Sequence, residues 1–463
     1  ADAGGGSGSG SVGGSGCGTD VDAGPDIAGP KLVNAMSPDG TKIVARFDEA
    51  IAPASVTAVA TLFKVKGSDN SLLTVESVAV TGKFATVTLA AGQPIDPQLS
   101  YELLVQGVTD TLGNPIDRAF NRAPVKRSVY LAIVWHQHQP FYLDPAKDEL
   151  SGPWVRKHAT KDYYDMAAMV GTEPNVHLTI NLTPVLLTQL QMYVDRLVPF
   201  LDKATNRIKG AEFLAAWRGK TDPWVDLLLT PTPEPDAMDE RTRGLFYKEA
   251  WATVSTADPI AKRFPEYKAL IEKNRPTYTK DDLLNLKVWF EIAWFDPDFL
   301  RGPVTLPDGA VVDLTDLVEL RPDEKYYAKR AFTEDDANRL LAENTKVMAN
   351  VVPIHRQLRY KPVSREGQIE IITTPYYHPI LPLLVDSDLA RAGQPLETMP
   401  SPAFRFPADA DAQVAKPVRM YTDMFGEPPR GMWPGEGSVA EAVVGAFARN
   451  GVKWVATDQH VLE

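Results

Sequence analysis

The chain has 463 residues, of which 44% are apolar, and a formal net charge of −12. This length exceeds what one ordinary hydrophobic core supports, so we expect two or more domains. The acidic balance argues against a nucleic-acid partner, because such binding depends on clustered Lys and Arg that neutralise phosphates. No apolar run reaches the roughly 18 to 20 residues that span a bilayer, which predicts no transmembrane segment.

Residues 1–25 are rich in Gly and Ser and predict a disordered leader. The single cysteine of the chain, Cys17, lies in this leader, so no intrachain disulfide can support the fold. We interpret Cys17 as a spare thiol in a flexible tether, with lipid attachment as the alternative.

Residues 26–124 follow a different pattern, in which apolar residues recur at every second position. Ile43 and Phe47 share one face of a predicted strand, as do Leu103 and Val105 of another. Short strands separated by Gly-containing turns, without helical periodicity, predict a small all-β sandwich.

The turn at residues 107–115 has the sequence GVTDTLGNP. It resembles the bacterial immunoglobulin-like modules of surface-layer and secreted proteins, in which a strand closes with a Val-x-Asp-x-x-Gly-Asn turn. The resemblance implies a spacer or binding module without catalytic groups. It also implies a secreted or cell-envelope location, either periplasmic or extracellular.

Residues 125–463 change to short apolar strands that alternate with amphipathic helices, a pattern typical of an α/β fold with a parallel sheet. Residues 199–365 are long, charged and mostly helical in pattern, and we interpret them as a helical insertion. The predicted strands are 128–134, 175–181, 369–373, 431–434 and 452–457.

Polar and aromatic residues follow three of these strands. His136 and His138 come directly after the first, and residues two apart in extended chain point to the same side. Because ligands bind beyond the carboxyl ends of strands in α/β folds, both imidazoles are expected to face one substrate. The segments around His378 and Glu436 have the same design, so the three segments together predict a site.

Two nearby glutamates have different explanations. Ser438 and Glu441 fit the S-x-x-E pattern of a capping box, so Glu441 needs no catalytic role. Glu436 lies between glycines beyond a strand, where neither core packing nor capping requires an acid. It is therefore a candidate catalytic carboxylate, with a solvated loop acid as the alternative.

Three ordered motifs resemble conserved regions of glycoside hydrolase family 57. They are HQHQP at 136–140, GQIE at 367–370 followed by YYHPILP at 376–382, and GMWPGEGS at 431–438. The matches run from about residue 130 to the end of the chain. The resemblance implies an incomplete (β/α)7 barrel and a retaining enzyme acting on α-glucans such as starch, glycogen, maltooligosaccharides or pullulan.

The resemblance also implies roles for individual residues. Glu436 matches the family's nucleophile, and His138 with its neighbour His136 matches the histidines that contact the cleaved sugar. Gln139, His378 and Trp433 are expected to line the cleft. Glu370 lies within an apolar strand, where it has either a structural partner or an active-site role.

One part of the family pattern is missing. The family's general acid/base is an aspartate in a fourth region beyond the nucleophile, and retaining hydrolysis needs both carboxyl groups. We expect this acid in a C-terminal remainder of the same polypeptide. Asp458 is interpreted as a subsite residue, with substitution for the acid as the alternative. The family mechanism requires no metal ion and no organic cofactor.

Two other classes of function remain open. His136 and His138 together with a carboxylate could bind Zn²⁺, as in a metal-dependent polysaccharide deacetylase or mannosidase. The missing fourth region is also compatible with a surface protein that binds glycans without turnover. Metal content and turnover of α-glucan are the measurements that separate these classes.

Overall fold

The computed structural model describes residues 27–127, 131–248 and 251–459. Contacts divide the chain into two compact units, Ala1–Leu131 and Ala132–Glu463. The predicted leader and Cys17 lie outside the described residues.

Within residues 27–127, the first unit consists of β-strands, one short α-helix, α1 (Val59–Leu62), and two 3-10 turns. Alternate residues of its strands enter one core: Ile43, Phe47, Leu103 and Val105 are each at most 1% exposed, as the period of two predicts. The strands are β1 (Leu32–Ser37), β2 (Lys42–Phe47), β3 (Phe63–Gly67), β4 (Leu72–Leu73), β5 (Val75–Thr81), β6 (Phe84–Leu89), β7 (Tyr101–Val105) and β8 (Arg122–Arg127).

These strands form one hydrogen-bonded sheet in the order β4-β3-β7-β8-β1-β2-β6-β5. The neighbours are antiparallel except for β1 and β8, which run parallel. The immunoglobulin-like assignment of this unit remains a prediction.

The turn at 107–115 is held together by a buried carboxylate. Asp110 is 2% exposed and accepts hydrogen bonds of 2.8 Å from the backbone nitrogens of Leu112 and Asn114. The Asn114 side-chain amide donates to the same carboxylate, also at 2.8 Å. Gly113 has a φ of +96°, a conformation that favours glycine. The residues of the predicted turn motif are thus the ones that fix its shape.

The second unit combines helices with short strands. Its strands are β9 (Val134–Gln137), β10 (Leu143–Asp144), β11 (Glu149–Leu150), β12 (Leu178–Leu182), β13 (Leu201–Asp202), β14 (Arg207–Ile208), β15 (Val304–Thr305), β16 (Val311–Val312), β17 (Val318–Leu320), β18 (Tyr326–Ala328), β19 (Ile369–Ile372), β20 (Gly431–Met432) and β21 (Trp454–Val455).

Fourteen α-helices of this unit fall in the described residues, and none of them is long and apolar enough to cross a membrane. They are α2 (Trp154–His158), α3 (Tyr164–Thr172), α4 (Pro184–Leu197), α5 (Gly210–Trp217), α6 (Pro223–Leu229), α7 (Glu240–Arg243), α8 (Asp258–Ala261), α9 (Pro265–Glu272), α10 (Lys280–Ile292), α11 (Pro297–Arg301), α12 (Glu334–Leu358), α13 (Leu381–Val385), α14 (Pro407–Phe425) and α15 (Glu441–Arg449).

Five parallel strands organise the second unit. The ladders β9-β12 and β12-β19 are parallel, as is the ladder β20-β21. A parallel bridge between Thr373 and Met432 joins the two groups. The strands therefore lie side by side in chain order with helices between them, which is an α/β arrangement. Their carboxyl ends meet at one edge.

The first of these strands begins later than predicted. The prediction covered 128–134, of which 128–130 lie outside the described residues, whereas β9 is Val134–Gln137. The strand begins where its hydrogen-bonded pairing with β12 begins and not where the apolar run begins, because the ladder with β12 runs from Val134 to Gln137. His136 consequently lies inside the strand instead of beyond it.

The predicted helical insertion at 199–365 contains α5 to α12, interspersed with two-stranded hairpins. A buried ion cluster ties it to α2. Arg156 Nε lies 3.0 Å from Asp222 and its Nη1 2.6 Å from Glu291, and Lys157 Nζ lies 2.6 Å from Glu291. All four side chains are at most 1% exposed. Pairing offsets the cost of burying these charges, and it fixes three distant segments together.

The predicted capping box of α15 is wrong. The helix begins at Glu441 after Ala440, and no side chain caps it. Ser438 instead ends the preceding 3-10 turn, where its backbone nitrogen donates to the Gly435 carbonyl at 3.0 Å. Glu441 occupies the first helical position, so its charge favours the helix through the dipole of the amino terminus.

His355→Leu is expected to flatten the pH dependence of unfolding. His355 is fully buried in α12, its Nδ1 contacts the Val351 carbonyl at 2.8 Å, and burial lowers its pKa from 6.5 to about 4. The folded state therefore takes up this proton at lower pH than the unfolded chain. The stability associated with the neutral ring is complete above pH 6.5 and is lost as the pH falls towards 4.

Urea titrations at about pH 7 and about pH 5 measure this effect. The parent should lose more unfolding free energy between the two conditions than His355→Leu. His177→Gln, at an exposed position, is the control and should behave as the parent does. Equal losses in the parent and His355→Leu would contradict the prediction.

Candidate active site

Three segments meet at the carboxyl edge of the parallel strands. His136 and His138 come from β9 and the residue after it, and His378 comes from the loop after β19. The ring centroids of His138 and His378 are 4.3 Å apart, and those of His136 lie 5.6 Å and 5.3 Å from His138 and His378. The predicted convergence of His136 and His138 thus extends to a third imidazole, that of His378.

His136 is oriented by two neighbours. Asn181 pairs with it in the β9-β12 register, and the Asn181 amide contacts Nδ1 of His136 at 2.5 Å. Trp433, which follows β20, stacks on the His136 ring with a centroid distance of 5.1 Å and an interplanar angle of 27°. The backbone nitrogen of Trp433 donates to the Thr373 carbonyl at 2.8 Å, so the strands position this ring.

Glu436 and His378 form the contact between the two loops. Glu436 Oε1 lies 3.5 Å from His378 Nδ1, and the side chains are 69% and 5% exposed. Both residues have a φ of +56°, in the left-handed region that non-glycine residues rarely adopt. Such backbone costs on the order of 1 to 3 kcal/mol per residue and clusters at functional sites.

Burial controls the charge of the imidazoles. It lowers the pKa of His136 to about 4, with further lowering by His378 and His138. Burial also lowers the pKa of His138 and His378, while the Glu436 carboxylate acts in the opposite direction on both. The three rings are therefore neutral near neutral pH, and each can offer a lone pair or accept a hydrogen bond.

The structure also assembles a set of metal-binding type. One imidazole nitrogen from each of His136, His138 and His378 lies within 4.8 Å of the other two. A second group of this kind, Asp165, Asp296 and Asp298, lies elsewhere in the unit.

Gln139 and Glu370 have protein partners. The buried Gln139 amide donates to Tyr163 Oη at 2.7 Å and accepts from Tyr142 Oη at 2.7 Å. This geometry favours a structural role over the expected contact with a sugar. Glu370 accepts a hydrogen bond from the Trp454 indole at 3.3 Å. In the register of the sheet it lies level with Val134, two residues before His136 along the strands.

Asp458 lies beside the turn that carries Glu436. The Thr457 hydroxyl donates to the Gly437 carbonyl at 2.7 Å, and a Cβ built on Gly437 would lie 4.0 Å from the Asp458 backbone nitrogen. The side chain of Asp458 is at an exposed position. Its expected place near the nucleophile candidate is compatible with this position, and its role remains a prediction.

No role was predicted for Asn181 or for Phe141. Asn181 is fully buried at the end of an apolar strand, and a polar residue in that position was the available signal. Phe141 and Tyr377 form an exposed edge-to-face pair at 5.5 Å, next to the site motifs. Only the fold brings these two aromatic rings together, because they come from loops after different strands.

Residues 132–462 match the family model Glycosyl hydrolase family 57. This span is more than half of the chain, and the chain belongs to glycoside hydrolase family 57, as its three motifs predict. No curated protein sequence matches the chain.

Three of the solved structures that are similar to it are as follows. The alpha-amylase AmyC from Thermotoga maritima shares 15% identity over 71% of this chain and 39% of its own, with a TM-score of 0.29. The GH57-type branching enzyme from Pyrococcus horikoshii shares 15% identity over 70% of this chain and 40% of its own, with a TM-score of 0.30. The N-terminal part of the bacterial S-layer protein SbsC shares 23% identity over 22% of this chain and 25% of its own, with a TM-score of 0.20. The chain thus spans about two fifths of the two enzymes and a quarter of the SbsC fragment.

Gly435→Ala is expected to separate the two loops of the site. A Cβ at this position would lie 2.2 Å from the Pro379 carbonyl oxygen and 2.9 Å from that of His378. Because these are backbone atoms, no side-chain rotation relieves the clash, and we expect a loss of about 1 to 3 kcal/mol in unfolding free energy.

Gly393→Ala is the matched control, since its Cβ would meet no atom within 4 Å. Its stability should stay at or slightly above that of the parent in urea unfolding. Equal stability of both variants would contradict the close packing of the loops.

Proposed function

We propose that this chain carries the nucleophile of a retaining enzyme that acts on α-glucans, and that Glu436 is that nucleophile. The main support is the setting of its carboxylate, which lies 3.5 Å from buried His378 yet belongs to a side chain that is 69% exposed. A carboxylate fixed on one side and open on the other can reach an anomeric carbon. His136, His138 and Trp433 line the same site and are proposed to contact the sugar.

The proposed reaction is a double displacement. Glu436 attacks the anomeric carbon while a second carboxyl group protonates the leaving glycosidic oxygen. The glycosyl-enzyme is then attacked by water, or by another glucan in a transfer reaction, with the second carboxylate as base. This route requires two carboxyl groups about 5 to 5.5 Å apart and no metal ion or organic cofactor.

The second carboxyl group is proposed to come from a C-terminal remainder of the same polypeptide, with Asp458 as a subsite residue. Asp458 has the position of a neighbour to the Glu436 turn, because its backbone follows Thr457, whose hydroxyl binds Gly437. An exposed acid at this position suits contact with sugar hydroxyls.

The finer architecture is part of the same proposal. Five parallel strands in chain order support an incomplete (β/α)7 barrel with a helical insertion. The all-β unit is proposed to be an immunoglobulin-like module that acts as a spacer or binding domain. A secreted or cell-envelope enzyme fits a polysaccharide substrate.

A second candidate function is a metal-dependent polysaccharide deacetylase or mannosidase-like hydrolase. One observation supports it: His378 joins His136 and His138 to make three potential nitrogen ligands. Two results would favour this candidate over the retaining glycosidase. Turnover of a polysaccharide would be lost after chelation, and it would be retained in Glu436→Gln.

Glu436→Gln is expected to lower turnover of an α-glucan by several orders of magnitude in an active preparation that contains this chain. The amide keeps the shape but cannot attack the anomeric carbon. Calorimetry with a maltooligosaccharide should show that binding persists.

Glu441→Gln is the matched control, because this residue serves the amino terminus of α15. It should cost about 0.3 to 1 kcal/mol of stability at most and leave turnover nearly unchanged. Parental turnover in Glu436→Gln would rule out Glu436 as the nucleophile.

The isolated 463-residue chain is expected to show no turnover of starch or maltooligosaccharides, because the proposed acid/base lies outside it. Reducing-sugar release from the purified chain is the measurement. Glu436-dependent turnover by this chain alone would contradict the proposal and would make Asp458 the first candidate acid, testable as Asp458→Asn.

A further inference from the structure

We propose that His136, His138 and His378 bind one divalent transition-metal ion of the zinc class. Their ligand nitrogens lie within 4.8 Å of one another. In a tetrahedral site with Zn–N distances of about 2.0 to 2.1 Å, the ligand nitrogens are roughly 3.4 Å apart. Small side-chain rotations that move each ligand nitrogen by about an ångström or less are enough to bring the three nitrogens to this spacing.

His378 supplies independent support for a ligand. Its side chain is 95% buried, since 5% is exposed, and its Nε2 is buried without a hydrogen-bond partner among the described residues. Leaving a buried polar atom unpaired destabilises the folded state. The residue is also held in left-handed backbone, so the chain accepts a second cost to keep the ring in place. A bound ion would compensate for both.

Asn181 is placed to orient His136 from the side of Nδ1. It is fully buried, it contacts Nδ1 of His136, and its Oδ1 has no partner among the described residues. When the amide is turned by 180°, Oδ1 accepts from Nδ1–H of His136. This bond selects the tautomer in which Nε2 carries the lone pair, as is usual for metal-binding histidines.

The ligand set selects the kind of ion. Three imidazoles suit zinc and other late first-row metals, whereas magnesium and calcium prefer oxygen ligands. His136 is partly open to solvent, which leaves a fourth position for water or a sugar hydroxyl. Three neutral ligands leave the double positive charge of the ion facing the Glu436 carboxylate, which lies next to His378.

This inference concerns the site of the proposed function, but its test is separate, because metal binding can be measured without a substrate. The tag-free full chain is stripped with a chelator, dialysed and titrated with Zn²⁺, and Co²⁺ is added in parallel for its visible absorption. We expect one equivalent of zinc per chain and a Co²⁺ spectrum of four-coordinate type. Absence of stoichiometric binding would overturn the inference.

Variants identify the ligands. His138→Gln, at a half-buried position, and His378→Ala should each abolish stoichiometric zinc binding, whereas Asn181→Ala should weaken it by about 10- to 100-fold. Far-UV circular dichroism establishes that each variant is folded, and the half-buried His138 site keeps the test valid where His378→Ala does not fold.

Two controls separate this site from others. His177→Gln removes an exposed histidine, and Asp298→Asn changes the acidic group of Asp165, Asp296 and Asp298. Both should keep one equivalent of zinc. Retention of zinc by folded His138→Gln, or its loss in Asp298→Asn, would overturn the assignment of the three histidines.

Discussion

The parallel pairing of β9 with β12 is the constraint on which the site depends. Its register places Asn181 directly opposite His136, and the same ladder continues into β19. A slip of one residue would turn His136 to the other face of the sheet. The contact with Asn181 and the stacking on Trp433 would then both be lost. Backbone hydrogen bonds therefore decide the chemistry of this edge before any loop does.

The loops add a second layer of control through the backbone. Glu436 and His378 both adopt left-handed conformations, and Gly435 lets the two loops approach so closely that a Cβ there would lie 2.2 Å from the Pro379 carbonyl oxygen. The Glu436 carboxylate is thus aimed mainly by its own backbone, which leaves most of the side chain open to solvent. A nucleophile needs this combination, because a carboxylate that is covered by protein cannot reach the anomeric carbon.

Sequence patterns predicted the residues that follow strands better than the strands themselves. The order of the motifs placed His136, His138, His378 and Glu436 near one another, and the structure brings them together. The start of β9 was wrong because strand ends depend on the partner ladder, which an apolar run does not encode. The predicted capping box was wrong because Ser438 ends the preceding 3-10 turn and does not cap α15. Asn181 was missed for a related reason, since its function comes from its register with a distant strand.

The two proposals for the site are physically compatible. Without an ion, Glu436 Oε1 lies 3.5 Å from Nδ1 of His378, and partial burial lowers the pKa of all three imidazoles. An ion on those rings would place positive charge close to the carboxylate. The same ion would have an open position for a sugar hydroxyl and would orient the ring whose anomeric carbon Glu436 must reach. The imidazoles would then act on the substrate through the metal, and substitution of any one of them would weaken the grip of the other two.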